Sequence, residues 1–196
     1  MFYLIGLGNP GDEYMNTRHN TGREIVQLFC KKNDFSDFAY DKKSNSLIAK
    51  GKVGKESVMA VLPETFMNNS GKAVAYFIKN KKAAEKNCLV VHDDLDLGIG
   101  NYKIQFNRGS GGNKGVESIH KNLKTEAYPR IKVGISAKTV SGKVKKPNEE
   151  EKVVKHVLGK FSPKDLEQFK KARPKLLKAI EAVITEGYMI AMNHYN

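Results

Sequence analysis

The residues best suited to acid–base chemistry follow the apolar segments of this chain. Asn9 follows the first apolar run, His92 and Asp93 follow "CLVV", and His19 lies in "NTRHNTG". An unperturbed imidazole titrates near neutral pH, so His19 is the natural general base. Such a base needs a carboxylate to fix its tautomer and stabilise its charged form, and Asp93 is the candidate. We therefore expect His19 and Asp93 to meet in one polar site.

Amide side chains are available for the same site. Asn68, in "TFMNNSG", offers both a donor and an acceptor, which suits it to hold a carbonyl or an attacking water. Asn113 and Lys114 follow the glycines of "RGSGGNKG". We find no Ser or Cys in a recognisable nucleophile elbow, so direct attack by water is the simpler chemistry.

The acidic segment "HDDLD" has other interpretations. It fits a solvated acidic turn, and Asp93, Asp94 and Asp96 have a spacing that a divalent metal could use, although the glycine and later glutamate of a calcium loop are missing. His19 taken alone also fits a surface or helix-capping histidine. These residues by themselves indicate a hydrolase or a nucleic-acid-binding protein, and they leave the substrate open.

The charge of the chain favours a polyanionic partner. The 196 residues include 34 Lys and Arg against 21 Asp and Glu, which gives a net charge of +13. The positive charge is spread along the chain, with local runs at "KNKKAAEK" and "KVKKPN". Nucleic acid is the leading partner class for such a protein, through a broad surface that faces phosphates. The alternative is a lysine-rich protein with no acidic partner.

The sequence shows no signal for a membrane or a secretory route. No run of 18 apolar residues is present, and the N-terminal "MFYLIGLG" lacks a basic region and a cleavage site. We therefore expect a cytoplasmic protein that contacts no membrane. Cys30 and Cys88 lie in apolar contexts and are expected to be buried free thiols.

Three early glycines raise the question of a dinucleotide site. Gly6, Gly8 and Gly11 have the G-x-G-x-x-G spacing. That motif requires a helix directly after the glycines and then a second strand that ends in an acid. Here Pro10 precedes the third glycine, and the following segment delays any convincing helix. A turn that places Asn9 and brings the backbone close to a substrate explains the same glycines better.

Apolar strand patterns alternate with helical ones along the chain. Strands are expected at "FYLIGL", "CLVVHDDLD", "NYKIQF" and "RIKVGIS", and two more in "SLIAKGKVGKESVMAVLP" around a turn at "VGKE". Helices are expected at "GREIVQLFCKK", "SGKAVAYFIKNKK" and "GGNKGVESIHKNL". Ser70 is the expected N-cap of the second helix. The order predicts an α/β fold in one domain, residues 1–196: a three-layer sandwich with a twisted mixed sheet and helices on both faces. A mobile basic loop is expected at about 137–151, followed by C-terminal helices with a break near Pro174.

The motifs taken together resemble bacterial-type peptidyl-tRNA hydrolases. The matching segments are "LIGLGNPGDEYMNTRHNTG", "FMNNSG", "VVHDDLDLGIG", "GSGGNKGVESI", "RIKVGIS" and "VLGKFSP", which span residues 4–163. The resemblance implies a monomeric α/β enzyme without metal or cofactor. Its substrate is peptidyl-tRNA, contacted at the acceptor stem and the CCA end. Hydrolysis of the ester recycles tRNA from prematurely released peptidyl-tRNA.

Motif positions in the resemblance assign roles to individual residues. His19 corresponds to the catalytic histidine and Asp93 to its carboxylate partner. Asn9 and Asn68 correspond to amides that grip the peptide backbone, and Tyr14 to an aromatic side chain at the terminal nucleotide. The expected substrate-binding set is completed by Phe66, Asn113 and Lys114.

The chain departs from the family pattern in two places. The usual glycine loop "GGHNG" reads "GGNKG" here, so either Lys114 contacts a substrate carbonyl or phosphate, or Asn113 supplies the amide in its place. The usual second lysine after "DLGIG" is Gln105. The cations expected to bind tRNA phosphate, including the 5′ phosphate, are Lys103, Arg108, Arg130 and Lys132.

Two rival functions remain open at this point. A nucleoside phosphorylase or peptidase on a similar sheet would need a phosphate site or another nucleophile, and no matching motif is present. A catalytically silent RNA-binding protein is the other rival, because Lys114 replaces a site asparagine. The presence of His19, Asp93 and Asn68 counts against it.

Overall fold

One mixed β-sheet organises the chain. The computed structural model describes residues 1–139 and 141–196, and in these residues eight strands form the sheet. The strands are β1 Phe2–Gly6, β2 Ala39–Asp41, β3 Ser46–Val53, β4 Glu56–Pro63, β5 Cys88–Gly98, β6 Tyr102–Phe106, β7 Pro129–Lys138 and β8 Val144–Lys145. Their order is β2-β3-β4-β1-β5-β7-β6, and β8 pairs with the end of β7.

Helices cover both faces of the sheet. They are α1 Thr21–Lys32, α2 Ser70–Phe77, α3 Lys81–Asn87, α4 Lys114–Leu123, α5 Glu150–Leu158, α6 Pro163–Thr185 and α7 Tyr188–Tyr195. The core on one face draws apolar side chains from α1, α5, α6 and α7, and the core on the other from α2, α3 and α4. The predicted α/β sandwich with helices on both faces is confirmed.

The central strands are parallel and largely buried. β4, β1, β5 and β7 run in the same direction, so their carboxyl ends lie at one edge of the sheet. Side chains of β1 alternate between the two cores: Leu4 packs with α1, and Ile5 packs with the α2–α4 layer. Loops that follow parallel strands converge at this edge, where ligands of open α/β sheets bind.

Two helix glycines allow backbones to touch. A Cβ on Gly22 of α1 would lie 2.2 Å from the carbonyl oxygen of Val91 in β5. A Cβ on Gly71 of α2 would lie 2.0 Å from the carbonyl oxygen of Ser118 in α4. Because any larger residue would push these elements apart, α1 is held against β5 and α2 against α4.

Several predicted boundaries were wrong. α6 runs without interruption through Pro174 and ends before Gly187, whose φ is 91°. Burial of Phe169 and Leu176, one on each side of the proline, compensates for the lost backbone hydrogen bond. Ser70 is the first residue of α2 rather than its cap, and its hydroxyl is buried without a hydrogen-bond partner.

The basic segment from 137 to 151 contains regular structure at both ends. Ala137 and Lys138 pair with β8, and Glu150 begins α5, a helix that the polar composition concealed. Residue 140 of this segment lies outside the described residues. The expected mobility of the segment stays a prediction.

Candidate active site

His19 and Asp93 face each other at the carboxyl edge of the sheet. His19 Nδ1 lies 2.8 Å from Asp93 Oδ2, and both side chains are largely buried, with exposures of 13% and 3%. Since the carboxylate accepts a hydrogen bond from Nδ1–H, Nε2 carries the lone pair. That nitrogen is the one free to take a proton.

The surroundings of His19 set its protonation. Burial lowers the pKa of the imidazole, but the charge of Asp93 and its hydrogen bond raise it by more, so the pKa of His19 lies above the ordinary 6.5. A raised pKa makes Nε2 a stronger base once it is neutral. The pair therefore has both the geometry and the basicity of a general base.

Two neighbouring segments hold the turn that carries His19. The backbone N–H of Arg18 donates to the carbonyl of Gly159 at 3.0 Å, and the Arg18 guanidinium lies 5.2 Å from the centre of the Phe161 ring. Thr17 and Lys160 form a single antiparallel β-bridge between their backbones. The α5–α6 connection thus holds the backbone of the turn that carries His19, a contribution that the sequence did not reveal.

Asn113 holds the other side of the carboxylate. Its Nδ2 donates to Asp93 Oδ1 at 2.8 Å, while its Oδ1 accepts from the backbone N–H groups of Gly115 and Val116 as the N-cap of α4. Both ends of the amide are thereby engaged. Asn113 is not placed to supply the substrate-facing amide that was expected of it; it orients Asp93 instead.

Asn9 is part of an interlocked pair of loops. Its backbone N–H donates to Asn20 Oδ1, and Asn20 Nδ2 donates back to the Asn9 carbonyl, both at 2.9 Å. Asn9 Oδ1 accepts from the backbone N–H of Met67 at 2.9 Å. This orientation leaves the Nδ2 donors of Asn9 for another group. Asn20 was missed by sequence reasoning, and its position directly after His19 was the only signal.

Asn68 and Lys114 line one cleft between the starts of α2 and α4. The cleft has a volume of about 290 Å³, and its remaining lining residues are Asn69, Lys72, Glu117, Ser118, Lys121 and Asn122. Asn68 is exposed, and the Lys114 side chain is 64% exposed with its Nζ 3.3 Å from Glu117 Oε2. Both residues are therefore open to a ligand, next to the turn that Asn9 holds.

An aromatic pair stands at the rim of the site. The rings of Tyr14 and Phe66 meet edge to face, with centroids 6.3 Å apart and an interplanar angle of 83°. Phe66 is 58% exposed, so its ring is accessible to a ligand. Such a ring can stack on a nucleobase.

Three of the four expected phosphate ligands share a depression beside β6. Lys103, Arg108 and Lys132 line it, and its volume is about 540 Å³. Lys103 and Lys132 are directly paired across β6 and β7, and Lys132 also forms an ion pair with Asp94. The depression therefore presents several cations at one point of the sheet edge.

The expectation that Arg130 binds phosphate does not fit the structure. Its side chain is fully buried, and its guanidinium donates to the carbonyls of Arg108 and Gly109. The sequence pattern of a strand cannot tell which polar side chain faces inward. Arg130 instead anchors the loop that leads to Asn113.

The acids of "HDDLD" are turned to different partners. Asp94 pairs with Lys132 and accepts from the backbone N–H of Asp96, while the Asp96 side chain pairs with Lys146. Within the described ranges, no group of three His, Cys, Asp or Glu side chains is arranged to hold a metal ion.

The glycine-rich N-terminal turn is not a dinucleotide turn. α1 begins at Thr21, ten residues after Gly11, and the residues between form two short 3-10 turns. Gly8 lets the backbone approach α1, because a Cβ there would lie 2.9 Å from Arg23 Cβ. The turn places Asn9, as expected from the sequence.

The structure defines an α/β protein with a buried His–Asp pair at the ligand-binding edge of its sheet, and comparisons with known proteins identify its family. The family model "Peptidyl-tRNA hydrolase" matches residues 3–196. A "Peptidyl-tRNA hydrolase" of Clostridium botulinum (strain Alaska E43 / Type E3) is 34% identical over 196 residues, which cover 100% of this chain and 96% of the relative. Another, from Aquifex aeolicus (strain VF5), is 38% identical over 186 residues, 91% of this chain and 89% of the relative.

A solved structure agrees with these relatives. The peptidyl-tRNA hydrolase of Acinetobacter baumannii superposes with a TM-score of 0.88 at 29% identity, covering 100% of this chain and 94% of the other. This chain belongs to the peptidyl-tRNA hydrolase family, and the resemblance predicted from its motifs is confirmed. In the part of the chain that the structure describes, no helix is long and apolar enough to cross a membrane.

Proposed function

We propose that this protein hydrolyses the ester between a peptide and the terminal ribose of tRNA, with His19 as the general base. The observation that carries the proposal is the 2.8 Å contact between His19 Nδ1 and Asp93, which leaves Nε2 available as a base. Membership of the peptidyl-tRNA hydrolase family supplies the substrate class.

The reaction proceeds by attack of water. His19 Nε2 removes a proton from the water, and the resulting hydroxide adds to the ester carbonyl. Asp93 stabilises the imidazolium that forms, and the side-chain amides of Asn9 and Asn68 donate to the oxyanion or the peptide backbone. The intermediate then expels the ribose oxygen, which takes the proton back from His19. The products are a peptide carboxylate and tRNA with a free ribose hydroxyl.

The rest of the site suits the two halves of the substrate. Lys103, Arg108 and Lys132 provide cations for tRNA phosphates, in agreement with the net charge of +13. Tyr14 and Phe66 provide aromatic surface for the terminal nucleotide. Contacts with tRNA phosphates, stacking on the terminal nucleotide and hydrogen bonds to the peptide backbone do not depend on the sequence of the tRNA or the peptide. An enzyme that recycles tRNA in translation needs this breadth. In this proposal the enzyme is a monomer in the cytoplasm and requires no metal. It contacts the acceptor stem and the CCA end of the tRNA.

The test is release of N-acetyl amino acid from N-acetyl-aminoacyl-tRNA in the presence of EDTA, with wild type and His19→Ala in parallel. Turnover by wild type that falls at least about 10²-fold in the variant supports His19 as the base. Turnover that EDTA abolishes would point to a metal-dependent nuclease or esterase. Binding of tRNA without cleavage would make the protein an RNA-binding relative of the enzyme.

A further inference from the structure

The cleft between the starts of α2 and α4 has a distinctive charge. Three lysines line it, Lys72, Lys114 and Lys121, against one acid, Glu117. In the described residues, only Lys114 of the three forms an ion pair, and that pair joins two side chains that are 64% and 44% exposed. An exposed pair of this kind contributes little stability and is easily exchanged for another carboxylate.

The cleft adjoins the catalytic centre by direct connections. Lys114 follows Asn113, whose side chain donates a hydrogen bond to Asp93. Asn68 follows Met67, whose backbone N–H donates a hydrogen bond to Asn9. Asn68 and Lys114 are both lining residues of this cleft. A peptide whose backbone is gripped by Asn68 therefore has its adjacent side chains within reach of the Lys114 ammonium.

A tRNA phosphate is the other anion that could fill the cleft. The cations of the depression beside β6 already form a separate group, and the two depressions have no lining residue in common. Asn68 follows β4 and Lys103 lies in β6, so these two residues lie on opposite sides of β5 in the strand order β4-β1-β5-β7-β6. α4, which carries Lys114, packs beside α2 and so brings Lys114 to the Asn68 side. Because Asn68 donates to the peptide in the proposed mechanism, the cleft that it lines belongs to the acyl side of the ester.

We propose that the lysine-lined cleft at Lys114 is a peptide subsite that favours acidic side chains near the esterified end of the peptide. The inference rests on the proposed function and deepens it. Lys114 supplies three donors and a full charge where a neutral amide would supply one donor group and no charge. The enzyme accepts all peptides, but its kcat/KM is highest for acidic ones.

The test compares two substrates that differ only in charge. N-acetyl-Asp-Gly-tRNA and N-acetyl-Asn-Gly-tRNA carry isosteric side chains on the same tRNA, so contacts with nucleic acid cancel in the ratio of their kcat/KM values. We expect wild type to prefer the Asp substrate by about three- to fivefold at low ionic strength, and the preference to shrink as salt screens the charge.

Three variants identify the source of the preference. Lys114→Met is expected to bring the ratio close to one, whereas Lys114→Arg keeps it, because the charge is retained. Lys178→Met removes an exposed lysine of α6 outside the cleft and is expected to leave the ratio as in wild type. A Glu117→Gln variant should raise the ratio, since it removes the competing carboxylate.

The outcomes separate the subsite from the reaction. Equal rates on both substrates in wild type, or a ratio that Lys114→Met leaves unchanged, overturn the subsite while the hydrolase stands. Weaker binding of deacylated tRNA by Lys114→Met, with no change in the ratio, assigns the cleft to phosphate and also overturns it. Absence of turnover on both substrates overturns the proposed function and the subsite together.

Discussion

Asn113 Nδ2 donates a 2.8 Å hydrogen bond to Asp93 Oδ1, the carboxylate oxygen that does not face His19. The carboxylate is thus held between an imidazole and an amide. Because the same Asn113 caps α4, the orientation of Asp93 depends on the position of that helix. One side chain therefore links the packing of α4 to the His19–Asp93 pair.

Replacement of Asn113 should separate its two roles. Asn113→Ser keeps a capping oxygen but is too short to reach Asp93, and Asn113→Ala loses both contacts. We expect kcat to fall about tenfold in both variants with little change in KM, since Asn113 does not touch substrate. Only the alanine variant should also lose about 1 kcal/mol of the free energy of unfolding. Urea denaturation and steady-state kinetics check this, and full activity of the serine variant would contradict the role in positioning Asp93.

The pH profile should report the state of His19. The base works when neutral, so kcat/KM rises with pH, and its midpoint should lie above 6.5 because the pKa of His19 is raised. In Asp93→Asn, burial still lowers the pKa while the charge that raised it is gone, so the midpoint should move to lower pH. The rate itself should fall about 10²- to 10⁴-fold, because the tautomer is no longer fixed.

Measurement of kcat/KM between pH 5 and 9 checks both effects. His19→Ala is the control, since its residual rate should lack this titration. A midpoint of the Asp93→Asn variant equal to that of wild type would show that the ionisation belongs to another group.

The salt dependence of tRNA binding should distinguish Lys103 from Arg130. Lys103 is exposed in the depression beside β6, so Lys103→Met should reduce the slope of log K against log salt by about one. Arg130 is buried against the carbonyls of the glycine loop, so Arg130→Met should leave the slope unchanged. The Arg130 variant should instead speed amide hydrogen exchange in residues 108–112. A reduced slope in Arg130→Met would show that Arg130 does contact a tRNA phosphate.

His92 should make the fold sensitive to acid. Burial and the nearby charge of Arg130 lower the pKa of His92 to about 4, against 6.5 for an ordinary histidine. Between these values the unfolded chain binds a proton that the folded chain does not, so the free energy of unfolding falls as pH falls from 6.5 to 4. The total loss is about 3 kcal/mol.

Urea denaturation of wild type and His92→Asn across this range checks the effect. The asparagine can still donate to the Asp93 carbonyl, as His92 Nδ1 does at 2.8 Å. Unlike histidine, its side chain does not take up a proton in this pH range. Its stability should therefore decline less on acidification than that of wild type. If the free energy of unfolding depended on pH in the same way for both proteins, the acid sensitivity would not come from His92.

Local pattern predicted most of the fold. The apolar runs that became β1, β3–β7 and the helical periods of α1 and α4 are strong signals, and the order of elements determined the class. The helix α5 was missed because its polar, charged composition was interpreted as a loop. The passage of α6 through Pro174 was missed because packing against the sheet outweighs local propensity there.

The sequence predicted which residues form the site, but not which residues their side chains contact. The sequence placed Asn9 and Asp93 at strand ends and named His19 and Asn68 as candidates in other segments. The structure pairs His19 with Asp93 and joins Asn9 to the backbone of Met67, next to Asn68. The sequence could not show that Asn113 turns toward Asp93 or that Arg130 turns inward, since both depend on contacts between residues 20 or more positions apart.

The backbone contact at Gly71 has a consequence for binding entropy. α2 touches α4 at Ser118, and the Gly71 N–H also donates to Ser118 Oγ at 3.0 Å, so the two helices form a single rigid unit. Asn68 precedes one helix and Lys114 begins the other, which sets their separation before any substrate arrives. The loss of conformational freedom on binding therefore falls on the peptide and on the exposed Lys114 side chain, while the backbone of the two helices is already in place. If the proposed subsite is correct, peptides of any sequence meet the same fixed spacing of backbone groups, and only their charge distinguishes them.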